Sequence, residues 1–143
     1  MDASDGGPAE SGPDEEGPDE GGRGEGPRVD RSADGAGGDA VRTYYAAIDA
    51  HEYDRLASVL APSFVHYRPD RTLDGREAFV AFMREGRPKT DTTHEIRDVY
   101  PNGHGVAVRG RLLDASGEVL FEFVDVFSTG DDGRLRAAYT YTT

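Results

Sequence analysis

Cysteine is absent from the 143 residues, which removes disulfides, thiolate metal sites and cysteine nucleophiles. Tryptophan is absent too, and lysine nearly so: Lys89 stands alone against fifteen arginines. No apolar run is long enough to span a bilayer. The acidic N-terminus has no apolar export core and no twin-arginine pair, so a soluble cytoplasmic protein is expected. No His-Glu-x-x-His spacing occurs, so no metal is expected. There is no Gly-x-Ser-x-Gly elbow. The turn Asn102-Gly103-His104-Gly105 is followed by no helix, so it does not read as a phosphate loop.

Acidic residues are plentiful. Asp and Glu number 28 and the net charge is −12. That balance argues against nucleic acid and anionic membranes as partners. It resembles a halophile-like surface, where carboxylates keep a chain in solution, and equally the codon bias of a GC-rich genome. Residues 1–38 carry −8 of this charge, with eleven Gly, four Pro, one Val and no Leu, Ile or aromatic residue. Such a segment cannot bury enough apolar surface to offset its ordering entropy, so a disordered acidic tail is expected. The folded domain is then 39–143.

Within it, Val41, Tyr44, Tyr45 and Ile48 recur at helical spacing, which predicts an amphipathic helix over 40–50 beginning at Asp39. A short helix over 52–60 is stopped by Pro62. Ser63 to Arg68 alternates as a strand, and a loop runs from Pro69 to Gly75. A third helix covers 75–85. Four strands follow at 93–100, 105–114, 118–129 and 134–143, joined by Gly- and Asp-rich turns that make antiparallel hairpins. Helices gathered on one face of such a sheet give an α+β fold.

Asp125 is the residue that stands out. In Phe121-Glu122-Phe123-Val124-Asp125-Val126-Phe127, side chains alternate faces, so one carboxyl lies among three phenyl rings. Burial penalises its charged form and raises its pKa. It is either a structural acid with a hidden partner or a working acid.

Four stretches together resemble one family: Val41-Arg42-Thr43-Tyr44-Tyr45-Ala46-Ala47-Ile48, Asp74-Gly75-Arg76-Glu77-Ala78-Phe79-Val80-Ala81-Phe82, Asn102-Gly103-His104-Gly105, and Val124-Asp125-Val126-Phe127 continuing to Asp132-Gly133-Arg134-Leu135. The chain resembles the nuclear transport factor 2-like (SnoaL-like) superfamily, and within it the ketosteroid isomerase-like proteins. The resemblance implies a cone-like α+β fold, with three N-terminal helices packed on a curved antiparallel sheet enclosing a pocket. It implies cofactor-free double-bond isomerisation of a small hydrophobic carbonyl compound.

Carried over by position, Tyr44 falls at the oxyanion-binding tyrosine and Asp125 at the protonated aspartic acid, the two hydrogen-bond donors by which ketosteroid isomerases are known. The family's base is a carboxylate. Counting back from Gly75-Arg76-Glu77 without a gap, that place falls on His66, and a shift of one would make it Tyr67; the His66 imidazole is a competent base near neutral pH. Tyr45 is a packing residue or an alternative donor. Tyr67, Phe79, Met83, His94, Phe123, Phe127 and Tyr139 are the candidates for contacting substrate. The epoxide-hydrolase branch needs Arg-x-Asp on one strand, and Arg109-Gly110-Arg111 lacks the Asp.

A non-catalytic pocket and a dimerisation module are the competing readings. Leu120, Val124 and Val126 form one apolar row, and Val106, Val108 and Leu112 another, either of which a second subunit could cover to make a homodimer through the sheet.

Overall fold

A computed structural model describes residues 31–143. Residues 1–30, the greater part of the expected tail, lie outside the described residues. Helices α1 (Arg31–Ala50) and α2 (Tyr53–Ser58) come first; α3 (Arg76–Ala81) follows two strands, and a wide π-type turn over Phe82–Gly86 continues it. The strands are β1 (Leu60–Tyr67), β2 (Thr72–Asp74), β3 (Thr93–Asn102), β4 (Gly105–Leu113), β5 (Val119–Thr129) and β6 (Leu135–Thr142). They form one six-stranded sheet in the order β2-β1-β6-β5-β4-β3. This is an α+β cone: helices on one face of a curved, open sheet.

The meander β3 to β6 pairs antiparallel throughout, as its short turns require. The β1–β6 pair is parallel, which the hairpin signals could not reveal. A parallel pair needs a long connection, here supplied by α3 and the whole of the meander. β2 occupies the expected loop. It is three residues long and pairs only with β1, so no alternating run announces it. β1 starts ahead of Pro62, and the register with β6 shifts between Leu60 and Val65. That irregularity accommodates a residue with no N–H to donate.

The expected helix start at Asp39 falls inside α1. Glycine disfavours a helix by only about 1 kcal/mol, so a glycine-rich stretch can be helical when packing compensates. Gly37 makes that packing possible: a Cβ there would stand 3.1 Å from Thr129 Cγ2 and 3.4 Å from Val106 Cγ2.

Strand alternation sorts the sheet into two faces. Phe123, Asp125 and Phe127 are buried, while Glu122, Val124 and Val126, on the opposite parity, are exposed. Val106 and Val108 lie directly across from Phe127 and Asp125, so this row belongs to the core. From α1, Val41, Tyr44, Tyr45 and Ile48 close on the same face, joined by Leu56, Leu60, Phe64, Phe79 and Leu135. Each fully buried large side chain contributes roughly 1.5–3 kcal/mol of transfer free energy. The opposite row stays in solvent. Tyr100, Val126, Tyr139 and Tyr67 are exposed at one level of the sheet, with Tyr141 and Val124 beside them.

No helix among the described residues is long and apolar enough to cross a membrane.

Candidate functional site

Between α1, the Phe82–Gly86 turn and the inner face of the sheet lies a cavity of about 310 Å³. Its apolar wall includes Tyr44, Ile48, Met83, Leu112, Phe121 and Phe123, and its polar groups include His66, Thr92, His94, Asp125 and Thr140. Arg68, Arg87 and Lys89 also line it. Gly110 keeps the wall open to a ring: a Cβ there would meet Phe123 Cζ at 2.7 Å, so Phe123 can lie flat across β4 only because no side chain is present. A larger depression of about 680 Å³ lies by α2 and α3. Asp54, Arg76, Glu77 and Arg84 line it, and it contains no buried acid or base.

Asp125 lines the cavity and is buried. Its carboxyl accepts from the Tyr45 hydroxyl at Oδ2, 2.6 Å, and from the Thr140 hydroxyl at Oδ1, 2.5 Å. Both contacts follow from position. Thr140 stands directly opposite Asp125 in the β5–β6 ladder, and directly opposed side chains on one face are in reach of one another. Tyr45 comes down from α1. Burial pushes the Asp125 carboxyl above its ordinary range, and the hydroxyls of Thr140 and Tyr45, then His94 and Arg68, pull it back. Burial, reinforced by the Asp125 charge, also raises both Tyr44 and Tyr45 well above the usual phenol range, so both remain donors.

His66 Nε2 lies 2.7 Å from Thr140 Oγ1. The Thr140 hydroxyl has one proton, and donating it to Asp125 makes the same oxygen an acceptor for His66 Nε2–H. The lone pair of His66 is then on Nδ1, which is buried and has no hydrogen-bond partner among the described residues. Burial, with Arg68 adding to it, lowers the His66 pKa to about 3, so the ring is neutral. This arrangement argues against His66 as the proton acceptor: the ring is weakly basic, and one nitrogen is committed to Thr140.

A second histidine is better placed. Asp49, near the end of α1, grips His94 twice, accepting its backbone N–H at Oδ2 (2.9 Å) and pairing with ring Nδ1 at Oδ1 (2.7 Å). A ring that donates Nδ1–H to a carboxylate keeps its lone pair on Nε2. Among the described residues Nε2 has no hydrogen-bond partner, and the ring lines the cavity. It packs against Tyr45 and Phe123, with centroids 5.1 and 5.7 Å away.

Tyr44 and Tyr45 differ in role although they are adjacent. Tyr45 is spent on Asp125. Tyr44 stacks on Phe79 at 5.7 Å and meets Phe127 edge-on at 5.0 Å. It lines the cavity, and its hydroxyl has no protein partner among the described residues. Of the predicted contact residues, Met83, His94 and Phe123 line the cavity, together with Tyr44, His66 and Asp125. Phe79 and Phe127 do not: they are buried behind Tyr44, in the core proper. Tyr67 and Tyr139 do not line the cavity either. They stack on each other at 4.5 Å on the outer face of the sheet, both exposed. Parity is the reason, since each flanks an inward residue, His66 or Thr140, and so must point outward. Arg109, set aside on sequence grounds, pairs with Asp98 on that same exposed side.

Sequence reasoning missed Asp49 and Thr140. Asp49 stands four residues after Tyr45, a spacing that puts both on one side of α1. Thr140 shares its strand parity with Ala138, the buried residue across from His66.

Residues 41–138 match the model of the SnoaL-like domain family. No curated protein matches the chain. Among solved structures, a SnoaL-like protein of unknown function from Burkholderia thailandensis is similar at 25% identity and a TM-score of 0.64, over 76% of this chain and 95% of that one. A LEH-like epoxide hydrolase of M. tuberculosis is similar at 18% identity and a TM-score of 0.66, over 76% and 83% of the two chains. A Kribbella flavida protein provisionally assigned as a ketosteroid isomerase is similar at 18% identity and a TM-score of 0.63, over 76% and 78%. Likeness at or below these identities speaks to the fold, which hosts several chemistries.

Proposed function

The chain belongs to the SnoaL-like domain family, and from that premise we propose that its cavity carries out cofactor-free proton transfer on a small apolar carbonyl compound, moving a carbon–carbon double bond into conjugation. The observation that carries this reading is the Asp49–His94 pair, which presents an unpartnered ring nitrogen beside a buried acid and a free phenol. His94 Nε2 removes the proton alpha to the carbonyl. The electron pair moves onto the carbonyl oxygen, giving a dienolate. The Tyr44 hydroxyl donates to that oxygen, and Asp125, when it keeps its proton, is the second donor. The protonated His94 ring, held in place by Asp49, returns the proton to the gamma carbon. Tyr45 and Thr140 are positioning residues that fix the Asp125 carboxyl, and His66 holds Thr140. A cavity of about 310 Å³ lies at the small end of the range for ligand pockets, which suits a compact ring system.

The test is turnover of a β,γ-unsaturated ketone to its conjugated isomer, followed by ultraviolet absorbance. The expected result is a rate above buffer that falls in His94→Gln. A rate indistinguishable from buffer, with wild type and variant alike, would leave the second reading: a pocket that binds without reacting. That reading draws on the internal satisfaction of Asp125, whose two oxygens already accept hydroxyls of the protein.

The exposed row Tyr67, Tyr139, Val126 and Tyr100 supports a homodimer formed through the outer face of the sheet. A two-fold pairing would cover this row with its own copy and leave the cavity, on the other face, untouched.

A further inference from the structure

The cavity's charges are out of keeping with the rest of the chain. The protein carries 28 acidic residues against 16 basic ones, yet among the described residues Asp125 is the only carboxylate lining the cavity, beside Arg68, Arg87 and Lys89. Asp125 is buried and bonded to two hydroxyls. Lys89 is the single lysine of the chain. Pro88 separates Arg87 from Lys89 and Pro69 follows Arg68, and both prolines also line the cavity, so the backbone that presents these cations is stiffened at φ.

These cations are only lightly paired within the protein: Lys89 acts on the Asp114 carboxylate at long range, and Arg68 on Asp70. Among the described residues, neither Arg87 nor Lys89 has a carboxylate within ion-pair distance. Arg87 donates Nε–H to the Met83 carbonyl at 2.7 Å and an N–H of its second nitrogen to the Tyr53 hydroxyl at 3.2 Å. Those two bonds hold the guanidinium in place and leave most of its donors unused. Arg68 has only a long contact, 3.4 Å, to an exposed Asp70, and lies over the Phe82 ring at 5.1 Å. A guanidinium fixed in this way beside a cavity, with N–H groups to spare, suits a carboxylate.

We propose that the ligand of this cavity is an amphipathic anion: a compact apolar body with a carboxylate, which seats the carboxylate on Arg87 and Lys89, with Arg68 adding long-range attraction. This rests on the proposed function for its location and deepens it by naming the substrate class. The apolar body lies along Met83, Phe121 and Phe123, and its reacting carbonyl points to Tyr44. The pronounced negative charge elsewhere would repel such an anion, so the cationic rim also decides where it can approach.

The experiment is a matched pair of probes titrated against the full chain by calorimetry. 2-Naphthoic acid carries the carboxylate, and 2-naphthamide is its neutral counterpart. The acid is expected to bind at least tenfold more tightly than the amide at low salt, and 0.5 M NaCl should erase most of that advantage while leaving the amide unchanged. Lys89→Gln, at an exposed position, and Arg87→Gln should each reduce the acid's advantage. Equal affinity for acid and amide overturns the anion preference and leaves the proton-transfer reading standing. Failure of both probes to bind overturns the preference and removes the pocket on which that reading depends.

Discussion

The Tyr45 hydroxyl donates to Asp125 Oδ2 at 2.6 Å, joining a helix to a strand 80 positions away in sequence. This bond gives Tyr45, and not its neighbour Tyr44, a buried partner among the described residues. It also means that the buried acid of this cavity does not stand free: one oxygen faces a phenol, the other the hydroxyl of Thr140. Any ligand donor or acceptor must be added to a network that is already largely satisfied.

Tyr45→Phe should therefore destabilise and Tyr44→Phe should not. Removing the Tyr45 hydroxyl leaves a buried carboxyl oxygen without its donor, at a cost of roughly 1–3 kcal/mol. Removing the Tyr44 hydroxyl breaks no protein hydrogen bond among the described residues, and should cost turnover or phenol binding instead. Urea midpoints and ketone turnover on both variants distinguish them. Equal losses of stability would show that Tyr44 is part of the same structural network.

Asp49→Asn should leave His94 in the cavity with the wrong proton placement or a weaker hold. Under the proposed chemistry, turnover falls by about 10²–10⁴, the usual worth of a positioned acid–base group, and His94→Gln falls as far. His66→Gln, able to keep its bond to Thr140, should fall much less. If His66→Gln were the most damaging of the three, the base would have to be reassigned.

The pH dependence of stability has a definite sign at His66. Its folded pKa is about 3, against an unfolded value of about 6.5. Below about pH 6.5 the unfolded chain takes up a proton that the folded protein refuses, so this contribution is fully present at neutral pH and is lost as pH falls toward 3. Asp125 acts in the opposite sense: its raised folded pKa favours the protonated folded state, and that contribution is lost as pH rises through the raised value. Urea midpoints between pH 7 and 4 should fall for the wild type and fall less for His66→Gln. Parallel curves would mean that His66 is not the group responsible.

Phe64→Ala should cost about 3–5 kcal/mol, because Phe64 is fully buried and packs edge-on to Phe79 at 5.0 Å. Val126→Glu, on the exposed face, should leave the monomer's stability nearly unchanged. Light scattering on the wild type should give twice 15.4 kDa, and Val126→Glu should give the single mass. A wild-type monomer would end the dimer proposal.

Periodicity carried much of this protein. The helical spacing of Val41, Tyr44, Tyr45 and Ile48, and the two-residue alternation around Asp125, are local patterns legible in the chain, because a helix or strand must show the same face at fixed intervals. These patterns determined the α+β class, the meander and the buried acid. Three kinds of fact lay beyond them. Adjacent residues in a helix point in different directions, so only packing could decide that Tyr45 meets Asp125 while Tyr44 faces the cavity. A strand of one residue more or less reverses every side chain on it, so the start of β1 and the parallel pairing with β6 decided that His66 and Thr140 turn inward and that Tyr67 and Tyr139 turn out. The grip of Asp49 on His94 spans two elements that share no local pattern. Sequence set the periodicities, which arise from the backbone of each segment by itself; tertiary structure chose the partners, because a hydrogen bond between distant segments depends on how they dock.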